Sequence, residues 1–224
     1  MPQKTFPMTE KTRIKRGANR ASYDRDLAYQ IIDEAMVCHV GFAVKDQPYV
    51  IPTFPWRVGD FLYIHGAKGG HMPGQVADGG KACIDITLLD GLVLARSAFH
   101  HSVNYRSVIV FGEGQRVDHV EEKADLLDRM ITKIDPARAR AVRAANKKEL
   151  ARTSVIGFGL KEVSVKVRSG PPVDDEEDYA LPVWAGVLPV SLTAGGLQTD
   201  PQLMADVPMP DAAAWSVFGA PQQR

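Results

Sequence analysis

A glycine-rich segment at residues 63–71 carries the residue types that suit a phosphate group. It reads Tyr-Ile-His-Gly-Ala-Lys-Gly-Gly-His, so a β-prone run leads into three glycines, with Lys68 among them. Glycine lets backbone amides turn toward an anion, and the lysine adds a positive charge. The segment lacks the Gly-Lys-Ser/Thr ending of a Walker loop and the Gly-x-Gly-x-x-Gly of a dinucleotide fold. Its spacing alone favours a phosphate site and an ordinary glycine-rich turn about equally.

A second segment, residues 98–114, places polar groups directly ahead of a strongly β-prone run. Asn104, Tyr105, Arg106 and Ser107 precede Val-Ile-Val-Phe in this segment. A guanidinium can contact two phosphate oxygens at once, so Arg106 is a second candidate for an anion contact. The competing interpretation is a surface loop that enters a strand, which is the commoner role of such a segment.

The histidines do not have the spacing of a metal site. His65 and His71 lack the i, i+4 spacing of helical ligands, and His100 and His101 form a bare pair without a patterned cysteine or carboxylate. The chain also lacks the Gly-x-Ser-x-Gly elbow of serine hydrolases. The sequence therefore predicts neither a metal centre nor a serine hydrolase.

The composition excludes several further classes of protein. Among 224 residues, 27 basic side chains balance 27 acidic ones, so no net charge draws the chain to nucleic acid or an anionic membrane. Cys38 and Cys83 lie in separate apolar runs, which is typical of reduced thiols in the core. No run approaches the roughly 20 apolar residues of a membrane span, and the N-terminus has no signal-peptide core. A cytoplasmic location is the expectation.

The elements that would position the two segments are mostly strands. Residues 1–21 are polar and basic without periodicity, which predicts an extended arm. Ser22 is the expected cap of a helix that ends near Met36. Short β-prone runs follow at residues 37–44, 49–57, 61–65, 82–88, 92–97, 107–115 and 163–168. At least six strands with short links predict an antiparallel barrel, an arrangement without exposed edges.

The second half of the chain adds helices and a tail. The pattern predicts a helix from Val120 to Ile134, and Asp135-Pro136 begins another, whose charged residues 138–148 form a solvated face. From Gly170 the composition shifts to Pro, Gly, Asp and Glu. The apolar stretch 181–189 within this tail needs to be covered by other protein surface. We therefore expect an arm (1–21), one domain (22–169) and a tail (170–224) that docks on the barrel or on a partner subunit.

Three segments in order resemble the pyridoxamine 5′-phosphate oxidase-like superfamily, near its nitroimidazole-resistance reductases. They are His-Gly-Ala-Lys-Gly-Gly-His at 65–71, Ser-Val-Asn-Tyr-Arg-Ser-Val-Ile-Val-Phe-Gly-Glu-Gly at 102–114 and Pro-Val-Trp-Ala-Gly-Val-Leu-Pro at 182–189. The resemblance covers roughly residues 20–190. It implies a mainly β fold with flanking helices (α+β), an antiparallel FMN-binding split β-barrel, and a homodimer with flavin sites at the subunit interface.

The resemblance also assigns expected roles to residues. Lys68 and Arg106 would lie near the FMN phosphate, and Trp184 would reach the site from the docked tail. His71 would lie near the flavin and could donate a proton to a substrate, since an imidazole titrates near pH 6.5. The full set implied to contact the flavin is Val50, Ile51, Pro52, Thr53, His65, Gly66, Ala67, Lys68, His71, Asn104, Tyr105, Arg106, Ser107 and Trp184.

The function implied is an FMN-dependent oxidoreductase that acts on small aromatic or nitro compounds. Vitamin B6 oxidation is not expected, because the C-terminus, Ala220 to Arg224, lacks a paired Arg and His substrate-phosphate signature. Two alternatives stay open. One is a non-catalytic protein that carries flavin or haem in the same cleft, and the other is a reductase that uses the deazaflavin F420.

Overall fold

The computed structural model describes residues 3–204 and 206–210. The C-terminal residues Ala220 to Arg224, on which the expectation about vitamin B6 depends, lie outside the described part of the chain. Within that part the fold is a largely antiparallel β structure with short helices on its flanks, which confirms the predicted split-barrel α+β class.

The strands are β1 (Ala21–Ser22), β2 (Cys38–Val44), β3 (Gln47–Thr53), β4 (Trp56–Val58), β5 (Phe61–Ala67), β6 (Asp78–Leu94), β7 (Ser102–Arg116), β8 (Thr153–Gly159), β9 (Glu162–Arg168) and β10 (Gly186–Pro189). The helices are α1 (Arg25–Glu34), α2 (His71–Val76), α3 (Val120–Ile134), α4 (Pro136–Ala141) and α5 (Lys147–Arg152). Short 3₁₀ turns occupy Ala18–Arg20, Ala98–His100 and Glu176–Ala180.

The long β6–β7 hairpin organises the sheet. The strands of the sheet lie in the order β3-β2-β6-β7-β8-β5-β4, and all these strand pairs are antiparallel. The outer edge of β6 pairs first with β2 and then with β10. The outer edge of β7 pairs with β9 and then with β8. Each strand of the hairpin therefore joins different partners at its two ends, which splits the barrel.

The core has two parts because strand side chains alternate between faces. The larger cluster fills the barrel and includes Ile64, Ile84, Val110 and Phe158. A smaller cluster lies between the outer face of the sheet and α3, around Trp56 and Leu126. No helix among residues 3–204 and 206–210 is long and apolar enough to cross a membrane.

The N-terminal arm packs along the barrel. Phe6 is buried, and its ring lies under the guanidinium of Arg25 at 4.4 Å. Lys11 reaches across the structure to pair with Glu162 of β9 at 2.7 Å. The arm contains a turn at residues 10–12 and the 3₁₀ turn Ala18–Arg20, and Phe6 contributes to the main core.

Local interactions decide several boundaries differently from the sequence prediction. Asp24, not Ser22, caps α1, because its carboxylate accepts the Leu27 amide at 2.8 Å while the Ser22 hydroxyl accepts the Asp24 amide. The helix predicted after Asp135 breaks into α4 and α5, and the capping box of Asn146 begins the second.

Strand prediction failed where strands are long or fully buried. The run 82–88 and the first part of the run 92–97 belong to one strand, β6, which continues through a register shift between Leu89 and Gly91 and ends at Leu94. β8 was not predicted, because both of its faces are buried and its sequence does not alternate. The polar segment at 102–106, expected as a loop, is the first part of β7.

Candidate functional site

An aromatic cluster at the outer end of the sheet holds one histidine. Phe42 on β2 and Tyr49 on β3 stack with ring centroids 5.6 Å apart, and His71 packs edge-on against Tyr49 at 4.8 Å. The pairing register places Phe42 directly opposite Tyr49, since the hairpin turns at Lys45 and Asp46, both of which have positive φ. His71 is exposed, and its side chain makes no hydrogen bond or ion pair to any residue that the structure describes.

The glycine-rich segment positions His71 because Gly66 lets helix α2, which begins at His71, pack closely against the end of strand β5. A Cβ at Gly66 would lie 2.7 Å from Cγ of Pro73 in α2, so a side chain there would push the helix away. Two amides of the loop are already bonded within the protein, Lys68 to the Arg152 carbonyl and Gly70 to the Ala67 carbonyl, both at 2.8 Å. This part of the expected amide cradle for a phosphate is therefore not formed.

The strand expected beside the flavin is an edge of the sheet. β3 pairs with β2 on one side, and its other side has no partner strand within the described residues. The exposed fraction of Val50 is 66%, and Pro52 is also exposed, whereas Ile51 and Thr53 are half-buried. An exposed strand edge with apolar side chains is a surface that a ligand or a second chain can cover.

Lys68 lines a cavity of about 820 Å³ with further cations. Lys123 and Lys147 contribute ammonium groups, and the wall also includes Asp118 and Glu121. Arg116 lies in the same cavity, but its guanidinium already pairs with Asp78 at 2.7 Å. Three lysines that have no ion pair among the described residues make this cavity suitable for an anionic ligand.

Arg106 lies elsewhere and is already paired. Its guanidinium donates to both oxygens of Glu34 and to both oxygens of Asp90. These carboxylates raise the pKa of Arg106 and hold it charged. Arg106 lines a different cavity, of about 850 Å³, which Lys68 does not reach.

The two cations expected to clamp one phosphate are thus apart in a single chain. Arg106 precedes Arg116, a neighbour of Lys68, by ten residues of β7. An extended strand rises about 3.3 Å per residue, so the separation along β7 is about 33 Å. Lys68 and Arg106 line different cavities of one chain, because the segment 102–106 is strand rather than loop. A phosphate clamp that uses both residues, at a site drawing on both subunits, stays a prediction.

The neighbours of Arg106 on β7 make internal contacts. Asn104 is buried, accepts a hydrogen bond from Arg168 and donates to the Gly170 carbonyl at 3.1 Å. The hydroxyl of Ser107 donates to the Lys166 carbonyl at 3.3 Å, and Tyr105 is half-buried. In one chain, the side chains of Asn104 and Ser107 support the sheet and the start of the tail.

His65 and Trp184 have contrasting surroundings. His65 is half-buried beside Trp56, with ring centroids 6.0 Å apart, and burial lowers its pKa. Its Nδ1 is buried without a hydrogen-bond partner among the described residues. Trp184 is 70% exposed. It lies just ahead of β10, the tail strand that pairs with Gly91–Leu94 of β6.

The aromatic cluster around His71 was missed by sequence reasoning, although a signal for it exists. A two-residue turn at Lys45 and Asp46 pairs Val44 with Gln47, and counting outward brings Phe42 opposite Tyr49. The contact with His71 has no local signal, because α2 folds back onto the hairpin from a distant part of the chain.

Comparisons with known proteins agree with this architecture. Residues 24–167 match the family model described as pyridoxamine 5′-phosphate oxidase. None of the curated proteins compared with this chain matches it.

Solved structures give longer matches. The flavocytochrome Anf3 from Azotobacter vinelandii is 38% identical, with a TM-score of 0.86 over 91% of this chain and 94% of that one. An FAD- and haem-binding protein from Mycobacterium smegmatis is 32% identical, with a TM-score of 0.84 over 90% of this chain and 98% of the other.

A more distant match shows the fold alone. It is a putative 5-nitroimidazole antibiotic resistance protein from Bacteroides thetaiotaomicron, 22% identical, with a TM-score of 0.54 over 66% of this chain and 86% of that chain. The family model spans well over half of the chain, and two relatives above 30% identity are matched along nearly their whole length. The chain therefore belongs to the pyridoxamine 5′-phosphate oxidase family and has its flavin-binding fold.

Proposed function

We propose that this protein is a redox protein of the flavocytochrome type, which binds one flavin and one haem per chain. The observation that carries the proposal is the extent of similarity to two proteins named for a flavin together with a haem. Both matches cover at least 90% of this chain and so extend beyond the barrel into the tail. The sequence alone left haem as an alternative ligand, and the similarity now favours it together with flavin.

The histidine inventory of the described residues supports His71 as the haem ligand. Nδ1 of His101 contacts the Ser97 carbonyl at 2.8 Å, His100 lies 3.2 Å from Asp175, and Nδ1 of His39 lies 4.0 Å from Asp85. His71 and His119 are both exposed and have no such polar partner among the described residues, but of these two only His71 packs against aromatic rings there.

The surroundings of His71 also fit a porphyrin. Its imidazole can offer a nitrogen to iron, and the rings of Tyr49 and Phe42 beside it supply the aromatic wall that a flat macrocycle requires. His65 is the second choice, because its half-buried ring is already packed beside Trp56.

The lysine-lined cavity supports binding of the flavin phosphates. Lys68 follows β5 directly and is three residues from His71, so the cavity and the aromatic cluster share one end of the molecule. Lys68, Lys123 and Lys147 supply positive charge for the phosphates, and Asp118 and Glu121 in the same wall offset part of it. We propose FAD rather than the FMN expected from the sequence, because one of the two relatives above 30% identity is named for FAD together with haem.

The bound groups would supply the chemistry, and the protein would hold and shield them. A flavin exchanges one or two electrons and a haem exchanges one, so together they can link a two-electron donor to a one-electron acceptor. In this scheme Lys68 and its neighbours hold the phosphates, and the exposed edge of β3 lies along the ring system. Reduction of small aromatic or nitro compounds stays a prediction.

A homodimer completes the proposed site. The unpaired edge of β3, exposed Val50 and exposed Trp184 leave apolar surface uncovered in one chain. A second copy of the chain can cover that surface and add its own residues to each flavin site, as the family resemblance implies.

Spectroscopy of the purified protein tests the proposal. We expect a Soret band together with flavin absorption, and FAD in the mass spectrum of the released cofactors. His71→Ala should remove the Soret band and keep the flavin, while the matched variant His101→Ala should keep both. Wild-type protein without haem after expression with a haem precursor would refute the flavocytochrome proposal. Haem that persists in His71→Ala would move the ligand assignment to another histidine.

A further inference from the structure

A small cationic pocket lies far from the proposed flavin cavity. It has a volume of about 210 Å³ and lies between the end of the N-terminal arm, the start of β7 and the end of β9. Its lining residues are Arg20, Phe99, His100, His101, Ser102, Arg168 and Val173. Two guanidiniums, two imidazoles and a hydroxyl thus face a space whose lining includes no carboxylate.

Arg168 is a buried guanidinium that lacks an anionic partner. The residue is 8% exposed, and no carboxylate among the described residues lies within 4 Å of it. It donates to the amide oxygen of Asn104, and its contacts with the carbonyls of Gly170 and Pro171 are long, at 3.4 Å each. Its Nε is buried and has no hydrogen-bond partner among the described residues. A buried charge in this state is costly unless an anion compensates it.

Arg20 adds a second uncompensated charge at the mouth of the pocket. It is exposed at the end of the first 3₁₀ turn and forms no ion pair with the described residues. Burial and the nearby Arg20 both lower the pKa of Arg168, so the two guanidiniums repel each other across the pocket. An anion between them would remove that repulsion.

The nearest acidic residues are committed to other groups. Asp174 is held by Arg96, whose backbone amide and guanidinium donate to its two oxygens at 3.0 and 2.9 Å. Asp175 lies 3.2 Å from Nε2 of His100, and Asp178 belongs to the same small cluster. These carboxylates contact Arg96 and His100, and neither Arg168 nor Arg20 has an anionic partner among the described residues.

We propose that this pocket binds a phosphate-sized oxyanion, held by Arg168 and Arg20 with the hydroxyl of Ser102 and the imidazole of His101 as further donors. A volume of about 210 Å³ suits a phosphate group better than a whole nucleotide, since ligand pockets usually exceed about 300 Å³. Within one chain the site is separate from the Lys68 cavity, because Ser102 and Arg116 stand at opposite ends of β7, about 46 Å apart along an extended strand. The inference does not depend on the proposed flavocytochrome function.

Calorimetric titration of the purified, cofactor-loaded protein with inorganic phosphate tests the site. Wild type should bind phosphate saturably. Arg20→Gln should weaken binding about tenfold or more, because a charged hydrogen bond to phosphate is lost. The matched control Arg13→Gln changes another exposed arginine of the same arm and should leave affinity unchanged.

A second measurement is thermal unfolding with and without phosphate, and it includes a conservative change of the buried Arg168. Phosphate should raise the melting temperature of wild type more than that of Arg20→Gln, and Arg168→Lys should lose most of the effect while remaining folded by circular dichroism. Absence of saturable binding to wild type, or equal binding by the Arg20 and Arg13 variants, would overturn the proposal.

A parallel titration with adenosine monophosphate distinguishes free phosphate from a phosphorylated metabolite as the ligand. Affinity that rises well above that of inorganic phosphate, and that falls in Arg20→Gln, identifies a phosphorylated metabolite. Equal affinities identify free phosphate. In both outcomes the oxyanion site stands.

Discussion

Replacing Arg106 with alanine should destabilise the protein more than it weakens flavin binding. The resemblance to flavin-binding proteins assigns Arg106 to the flavin phosphate. In the structure its guanidinium instead donates hydrogen bonds to Glu34 at the end of α1 and to Asp90 in β6. The substitution removes a link between a helix and the central hairpin. It also leaves two neighbouring carboxylates that repel each other.

The expected magnitude follows from burial of the three side chains. The side chain of Arg106 is 26% exposed, and those of Glu34 and Asp90 are 45% and 34% exposed. Fully exposed ion pairs contribute about 0.2–1 kcal/mol, and buried hydrogen bonds to a charged group about 1.5–3 kcal/mol. Two partly buried pairs lie between these limits, so we expect a loss of about 2 kcal/mol. For a chain of this size that corresponds to a fall in Tm of roughly 4–8 °C.

Urea unfolding at pH 7 measures the loss, with flavin content recorded for each variant. Arg129→Ala is the matched control, because Arg129 pairs with Asp125 on an exposed helix face, and its urea midpoint should stay close to that of wild type. The difference between Arg106→Ala and wild type should shrink in 1 M salt, since the carboxylates are partly solvated. An Arg106→Ala protein of wild-type stability that has lost its flavin would refute this reasoning and restore Arg106 to the phosphate site.

Three further predictions concern the helix ends, the β7–α2 contact and the tail. Lys133 donates from its buried ammonium to the carbonyls of Ile32, Ala35 and Pro55, and burial lowers its pKa to about 8, against 10.5 for the ordinary group. Between pH 8 and 10 the unfolded chain therefore binds more protons than the folded chain. Urea unfolding should show the free energy of unfolding of wild type rising with pH relative to that of Lys133→Met. Gly114→Ala would place Cβ 1.9 Å from the Val76 carbonyl oxygen and should lower the free energy of unfolding by about 1–3 kcal/mol. In the control Gly74→Ala the new Cβ meets nothing within 4 Å. Melting curves that show equal destabilisation by both changes would contradict this contact. Ending the chain after Asp178 removes β10 and uncovers the edge of β6, so light scattering should show aggregation and absorption spectra should show loss of flavin; a truncated protein with normal flavin content would place the tail outside the site.

Local pattern determined much of the architecture. The alternation of apolar residues and the Gly59-Asp60 turn depend on neighbours in sequence, so β2, β5 and the helix Val120–Ile134 were predictable. The fold class and the family also followed from the sequence, because three ordered motifs are specific when taken together.

Only the tertiary structure decided which charged groups meet. Nothing near Arg106 in sequence shows that Glu34 and Asp90 will form ion pairs with it, because those partners come from a helix end and from the adjacent strand. His71 likewise gains its aromatic neighbours when α2 folds onto the β2–β3 hairpin. A side chain's chemistry is local, but its partners depend on strand register and on contacts between distant segments. The residue types of the candidate site were therefore visible in the sequence, while the pairing that separates Arg106 from Lys68 was not.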